Sequence, residues 1–401
     1  VTAVPAADAP AAEPPPGPLS RALWQTLRAH EGPLGEPPGP TIVWEQAENA
    51  TVWDADGRAY TDLSSGFGVA AVGHRNPRVV AAVREQAGRL LHGLGDLHPS
   101  DVRARLAERL AGVAPFGLTR MLFQLTGAGA VELALKTAHL ATGRAGIVCF
   151  ESGYHGTGLG ALAACGWPEF RAPMAAWLPP ARVERYGSVP ALDGDVACVV
   201  VEPMQGRGGV VEAPAGFLAG LRKACDAVGA LLVVDEVFTG LGRTGSMWMC
   251  QAEAVAPDLL VCGKVLGGGL PLSACLGSPE LMDRAWGGRG EVAIDTHTHL
   301  GSPLSCAAAL AVLDELEQRG LPQRARELEH RVRAVLPSVR GRGLALGLPC
   351  DGVAVSQRLL ARGVIAVPAG RAGEVLEISP PLTIEAGTLD AALAIVAEVA
   401  A

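Results

Sequence analysis

LLVVDEVFTGLGRTG at residues 231–245 and PDLLVCGKVLGGGLP at 257–271 decide how this chain folds. Leu231 to Val234 and Leu259 to Cys262 have the length and β-branched content of strands buried on both faces, and each run closes on a charged group, Asp235 or Lys264. A carboxylate and an amine at the ends of buried strands are costly unless they are paired or used in chemistry, so the stretch points to a site. Of the 33 basic residues 30 are arginine, and the lysines are Lys136, Lys223 and Lys264. Arginine cannot form an imine, whereas a desolvated lysine can lose its proton and attack an aldehyde. A lysine that only snorkels from a strand end fits these facts equally well.

Composition bounds the classes of function. A chain of 401 residues, 49% hydrophobic, can bury a large core in two or three lobes. The net charge of −8 without a basic cluster argues against a nucleic-acid or anionic-membrane partner, and no run of about 18 uncharged apolar residues predicts a span. The proline-rich residues 1–18 lack the basic-then-apolar order of a signal peptide and read as a disordered tail. Nine cysteines without a CxxC pair read as reduced thiols of a cytoplasmic protein, with no metal expected.

In chain order, Leu19 to His30 has the spacing of an amphipathic helix. Thr41–Trp44, Thr51–Trp53 and Ala59–Asp62 read as a meander of strands turned at Asp56-Gly57. Ser65–Gly68 and Gly73-His74 read as loops, and helices are expected over Asn76–Leu91 and Ser100–Ala111. From Met121 strand and helix alternate: Met121–Leu125 enters the turn Thr126–Gly129 and a helix to about Ala141; Ile147–Phe150 ends at Tyr154-His155-Gly156; Val196–Val201 ends at Glu202; Gly216–Val228 leads to the Asp235 strand. This order predicts an α/β fold with a mainly parallel sheet and helical crossovers. Ligands bind beyond the carboxyl ends of such strands, where Gly127, Tyr154, Glu202, Asp235 and Lys264 all fall.

Together these residues describe pyridoxal phosphate. The Thr126–Gly129 turn, opening a helix, offers free amides and a dipole to a phosphate; Tyr154 can stack on a flat ring; Asp235 can hold a pyridine nitrogen protonated; Lys264 can carry the aldehyde as an imine. The motifs WDADGRAYTDLSSG, VGHRNP, TGAGAVELALKTA, YHG, EPMQGRGG, VVDEVFTGLGRTG, CGKVLGGGLP, THLGSP and PPLTI resemble, at this spacing, the class III aminotransferases of fold type I, the ornithine, acetylornithine and 4-aminobutyrate enzymes among them.

The resemblance implies a large sheet domain and a smaller C-terminal α/β domain, here a segment at 19–75, a cofactor domain at 76–305 and a small domain at 306–401. It implies transfer of an amino group between a small amine and a keto acid or aldehyde, in a homodimer with its active site at the subunit interface. Lys264 matches the imine lysine, Asp235 the partner of the ring nitrogen, Val237 the residue under the ring, Tyr154 the stacking aromatic with His155 beside it, and Gly127 and Ala128 the phosphate turn. Thr298 matches a threonine that reaches the phosphate from the neighbouring subunit. An aminomutase, epimerase or decarboxylase would begin from the same imine, and the residues do not fix which bond is broken.

Four positions depart from the family pattern. Ala128 and Gly129 stand where a hydroxyl and a glutamate are usual, Phe238 replaces a glutamine, and on the substrate side Arg207 replaces a glutamate and Glu377 an arginine. The reversed charges suggest a salt bridge of swapped polarity gating the substrate, with Glu377 turning away a carboxylate beside the amine and Arg207 able to hold one. P-loop chemistry is excluded by the absence of GxxxxGK[ST]. His297 and His299, flanking Thr298, read as loop residues rather than metal ligands.

Overall fold

The computed structural model describes residues 15–33, 35, 37, 39–288 and 293–401, so most of the expected tail, up to residue 14, lies outside the described residues. Seven strands form the main sheet in the order Arg120–Gln124, Ser273–Gly277, Leu259–Cys262, Leu231–Asp235, Val196–Val201, Gly146–Phe150, Ala181–Glu184. The two runs quoted above lie side by side and parallel in the middle of it, with Asp235 opposite Val261. Four of the six pairings are parallel, which gives the α/β sheet expected from the alternation of elements.

The two antiparallel pairings both involve Ser273–Gly277. Its sequence, SACLG, is short and made of small residues, so it carries no strand signal of its own; it is a strand because its neighbours bury it completely.

Side-chain alternation along the central strands builds two cores. Leu231, Val233, Leu259 and Val261 pack with Ala130 and Ala134 of the Gly127–Thr142 helix. Leu232, Val234, Leu260 and Cys262 face the other way, in the larger core with Leu221 and Cys225 of the Phe217–Val228 helix and Val312 of the Pro303–Gln318 helix. A strand covered on both faces reads as a continuous apolar run, and each such side chain contributes about 1.5–3 kcal/mol when buried.

Outside the main sheet, the meander is formed by Trp44–Glu48, Thr51–Asp54 and Ala59–Asp62; the first strand starts where the expected one ended. Ser65–Gly68, expected as a loop, is a single tight turn in which all four residues take left-handed φ, from +50° to +83°. Val364–Ile365 and Val367–Ala369, close in sequence, are two strands in different sheets. Val364–Ile365 runs parallel to Ala59–Asp62 as the fourth strand of the meander, whereas Val367–Ala369 pairs with Val375–Ile378. Two long helices, Pro303–Gln318 and Leu321–Val335, follow the main sheet. Among the described residues no helix is long and apolar enough to cross a membrane.

Candidate active site

The carboxyl ends of the central strands open on a cavity of about 540 Å³ lined by Gly127, Ala128, Tyr154, His155, Glu202, Asp235, Val237 and Lys264, eight residues singled out from the sequence. Parallel strands deliver them there: each charged side chain follows the last residue that the sheet can bury.

Asp235, 4% exposed, ends its strand with both oxygens engaged. Its Oδ1 accepts the amide of Val237 at 2.9 Å, and its Oδ2 lies 2.7 Å from His155 Nδ1. Burial alone would lower the pKa of His155, but the hydrogen bond and charge of Asp235, with Glu202 beyond, carry it upward. Glu202 turns its oxygens to the amides of Tyr154, at 2.9 Å, and Gly206, at 3.3 Å, and so fixes the loop that holds the Tyr154 ring. Burial pushes the Glu202 carboxyl up to about 7, the charge of Asp235 adding to the rise, while His155 and the two amides oppose it.

Lys264 follows the Leu259–Cys262 strand with φ at +36°, a left-handed backbone that a residue with a side chain adopts at a cost of roughly 1–3 kcal/mol. Its Nζ stands 5.3 Å from the centroid of the Phe238 ring, and Gly68 leaves room beside its chain.

At the opposite wall the Gly127–Thr142 helix begins. Thr126 caps it, its Oγ1 accepting the amide of Gly129 at 3.0 Å, and the Thr126 carbonyl is fixed by Ser273 Oγ at 2.6 Å. The amides of Gly127 and Ala128 have no partner among the described residues, so they and the helix dipole are available to an anion. A Cβ on Gly127 would come within 3.0 Å of Val237, and one on Gly156, at φ +106°, within 2.4 Å of Ala128. Only glycine keeps this cradle open. Gly156, Gly158 and Glu132, which complete it, were not singled out from the sequence, although the glycine repetition in YHGTGLG was the available signal.

Three expected site residues lie elsewhere. Thr298 is exposed and is not among the residues lining the cavity. Arg207 is exposed at the rim, its guanidinium carbon 4.8 Å from the Tyr154 centroid, 5.1 Å from Phe170 and 5.7 Å from Trp167. Glu377 is buried in the Val375–Ile378 strand, where its Oε1 accepts a 2.5 Å hydrogen bond from Ser379 Oγ. No ion pair joins Arg207 to Glu377 among the described residues, which corrects the expected bridge. The reason is local: three rings hold the arginine at the rim while the glutamate is fixed inside a sheet.

The family model for aminotransferase class-III matches residues 35–399. Acetylornithine aminotransferase of Methanopyrus kandleri is 38% identical over 364 residues, covering 88% of this chain and 92% of that protein. The 5-aminovalerate aminotransferase DavT of Pseudomonas aeruginosa is 35% identical, covering 89% and 93%. Among solved structures, ornithine aminotransferase of Toxoplasma gondii superposes with a TM-score of 0.87 at 30% identity, covering 95% of this chain and 94% of that one. Another structure of that enzyme has pyridoxal phosphate at partial occupancy in its active site. With a cavity that gathers a lysine, a buried carboxylate and an anion cradle at the ends of its central strands, and with this likeness over nearly its whole length, the chain belongs to the class-III aminotransferases, enzymes whose cofactor is pyridoxal 5′-phosphate.

Proposed function

We propose that Lys264 and Asp235 carry an amino transfer from an amine not α to a carboxylate to a keto acid or aldehyde. The observation that carries this reading is the presence of Lys264 and the Asp235–His155 pair on the walls of one cavity.

The residues present fit pyridoxal phosphate. Asp235, held by His155, would face the ring nitrogen and keep a proton on it; Val237 and Tyr154 would cover the two ring faces; the amides of Gly127 and Ala128 would take the phosphate. When bound, the cofactor supplies an electron sink for negative charge at the substrate carbon. Lys264 Nζ would attach the cofactor and move the proton at that carbon, a task for an amine that stands beside the Phe238 ring with no ion pair among the described residues. Glu202 would hold the Tyr154 loop in place. Arg207, with its fork-shaped donors displayed over three rings and no carboxylate on it among the described residues, is suited to the carboxylate of the keto acid.

The choice of amine draws support from relatives named for acetylornithine, 5-aminovalerate and ornithine. A homodimer draws support from the exposure of Thr298 away from its own cavity and from exposed Phe67, Leu91, Leu94 and Leu97, which a second subunit would cover. Nine free cysteines favour a reducing, cytoplasmic setting.

The test is single turnover of the cofactor-loaded protein with amines and amino acids, followed by the cofactor's absorbance, in the parent and in Lys264→Ala. The parent should convert an amine lacking an α-carboxylate, and the variant should lose turnover altogether. Turnover by Lys264→Ala near the parental rate overturns the assignment.

A further inference from the structure

Among the described residues seven carboxylates are buried: Asp54, Asp62, Glu202, Asp235, Glu236, Glu315 and Glu377. Six have donors on both oxygens. Asp54 accepts from two amides and Tyr60, Asp62 from Ser64, Gly66 and His74, Glu236 from Thr239 and two amides, and Glu315 from Asn76, Arg78 and Arg319. Glu202 and Asp235 are satisfied as described above.

Glu377, 7% exposed, differs. Ser379 Oγ is its one donor among the described residues, on Oε1; Oε2 accepts nothing and has no ion pair. Its partners across the sheet are Gly347 on one neighbouring strand and Val367 on the other, neither with a side-chain donor. The two cations whose charge reaches it are Arg243 and Lys264. Arg243 gives Nη1 to the carbonyls of Leu344 and Pro380 and Nη2 to Ser65 Oγ, while its Nε has no hydrogen-bond partner among the described residues. Lys264 lines the cavity, and the fold brings it toward Glu377: Ser65 Oγ donates to the Ser379 carbonyl at 2.6 Å, and Gly68 of the same turn lies against the Lys264 side chain. Oε2 is not among the fully buried atoms left without a partner, so it still meets accessible space, and within the field of the reacting amine it is an acceptor open to a donor on a bound molecule.

We propose that Glu377, set by Ser379, is a specificity-determining residue that accepts a hydrogen bond from a hydroxyl or second ammonium group on the amino donor, close to its reacting amine, and that its charge excludes a carboxylate from that place. The inference rests on the transamination reading above and narrows it. The donor is an amino alcohol, a diamine or an amine on a hydroxyl-rich ring. Arg207, apart at the rim, is left to the carboxylate of the acceptor.

The experiment compares propylamine, 1-amino-2-propanol, 1,3-diaminopropane and β-alanine as donors to the cofactor-loaded enzyme, in the parent, Glu377→Gln and Ser379→Ala. Two quantities are read: kcat/KM from the cofactor's absorbance in single turnover, and the calorimetric affinity of cofactor-loaded Lys264→Ala, with and without Glu377→Gln, for the same four amines. The parent should favour the amino alcohol or the diamine over propylamine and β-alanine by about tenfold or more, the range of a hydrogen bond to a charged group. Glu377→Gln and Ser379→Ala should each shrink that ratio, and the calorimetric preference should fall in parallel. Equal use of propylamine, or a ratio that neither substitution moves, overturns the assignment of Glu377 and leaves transamination standing. No absorbance change with any amine or amino acid would count against transamination itself.

Discussion

Glu202 shows how folding and chemistry meet in one side chain. Its carboxyl is raised to about 7 in the folded protein against an ordinary value near 4.5, chiefly because burial disfavours its charge. The folded state therefore binds more protons than the unfolded chain between these values. The stabilising contribution is complete below about 4.5 and is lost as pH rises through 7. Glu202→Gln retains an oxygen for the amide of Tyr154 and removes the charge, so its stability relative to the parent should improve on going from pH 5 to pH 8, by up to about 3 kcal/mol; chemical denaturation of both proteins at the two pH values measures it. For Asp235→Asn we expect a loss of at least about a hundredfold in rate, because an amide cannot keep the ring nitrogen protonated, read from single turnover with any active amine. Lys264 was legible because the chain uses arginine nearly everywhere else, and Asp235 because it ends an apolar run. The hydrogen bond between His155 and Asp235 was not, since it joins residues 80 apart and only the sheet brings them together. The bridge expected between Arg207 and Glu377 failed for the converse reason. Opposite charges in a sequence say nothing of the rings that hold one and the strand that encloses the other.

Among the elements, long buried strands and long helices were readable because each pattern continues for several residues. Val196–Val201 has the bounds expected, and the helices end within a few residues of expectation. Ser273–Gly277 and the split at Ala366 were not, because small residues and two-residue strands owe their conformation to neighbours rather than to their own preference. The helix that opens at Gly127 depends on a second element, the loop at Gly156, staying close to Ala128. Gly156→Ala puts a methyl group at a left-handed position and into Ala128, so the cradle must open. We expect retention of pyridoxal phosphate on dilution to fall at least about tenfold, measured by dialysis and absorbance, with a smaller loss for Gly127→Ala, whose added methyl meets only the tips of Val237.

For the whole molecule, one buried arginine ties distant parts of the chain together. Arg243 donates to Leu344 O, Pro380 O and Ser65 Oγ, and burial lowers its pKa to about 10, which leaves it charged at neutral pH. Arg243→Met would take a donor from two buried carbonyls, and the unfolding midpoint in urea should report a loss of roughly 2–5 kcal/mol. The parallel pairing of Val364–Ile365 with Ala59–Asp62 spans about three quarters of the sequence, and the bonds from Asn49 to Thr383 and from Ser65 to Ser379 span still more. A ribosome delivers residues 44–62 long before it delivers 364–384, so the meander emerges with one strand position unfilled and waits through most of synthesis for its partner. The lysine-bearing sheet can assemble meanwhile, since its strands lie between residues 120 and 277. The later stretch therefore closes the earlier one, and a chain arrested before Val364 would carry the cofactor cradle beside an open sheet edge, the form that chaperones and proteases meet.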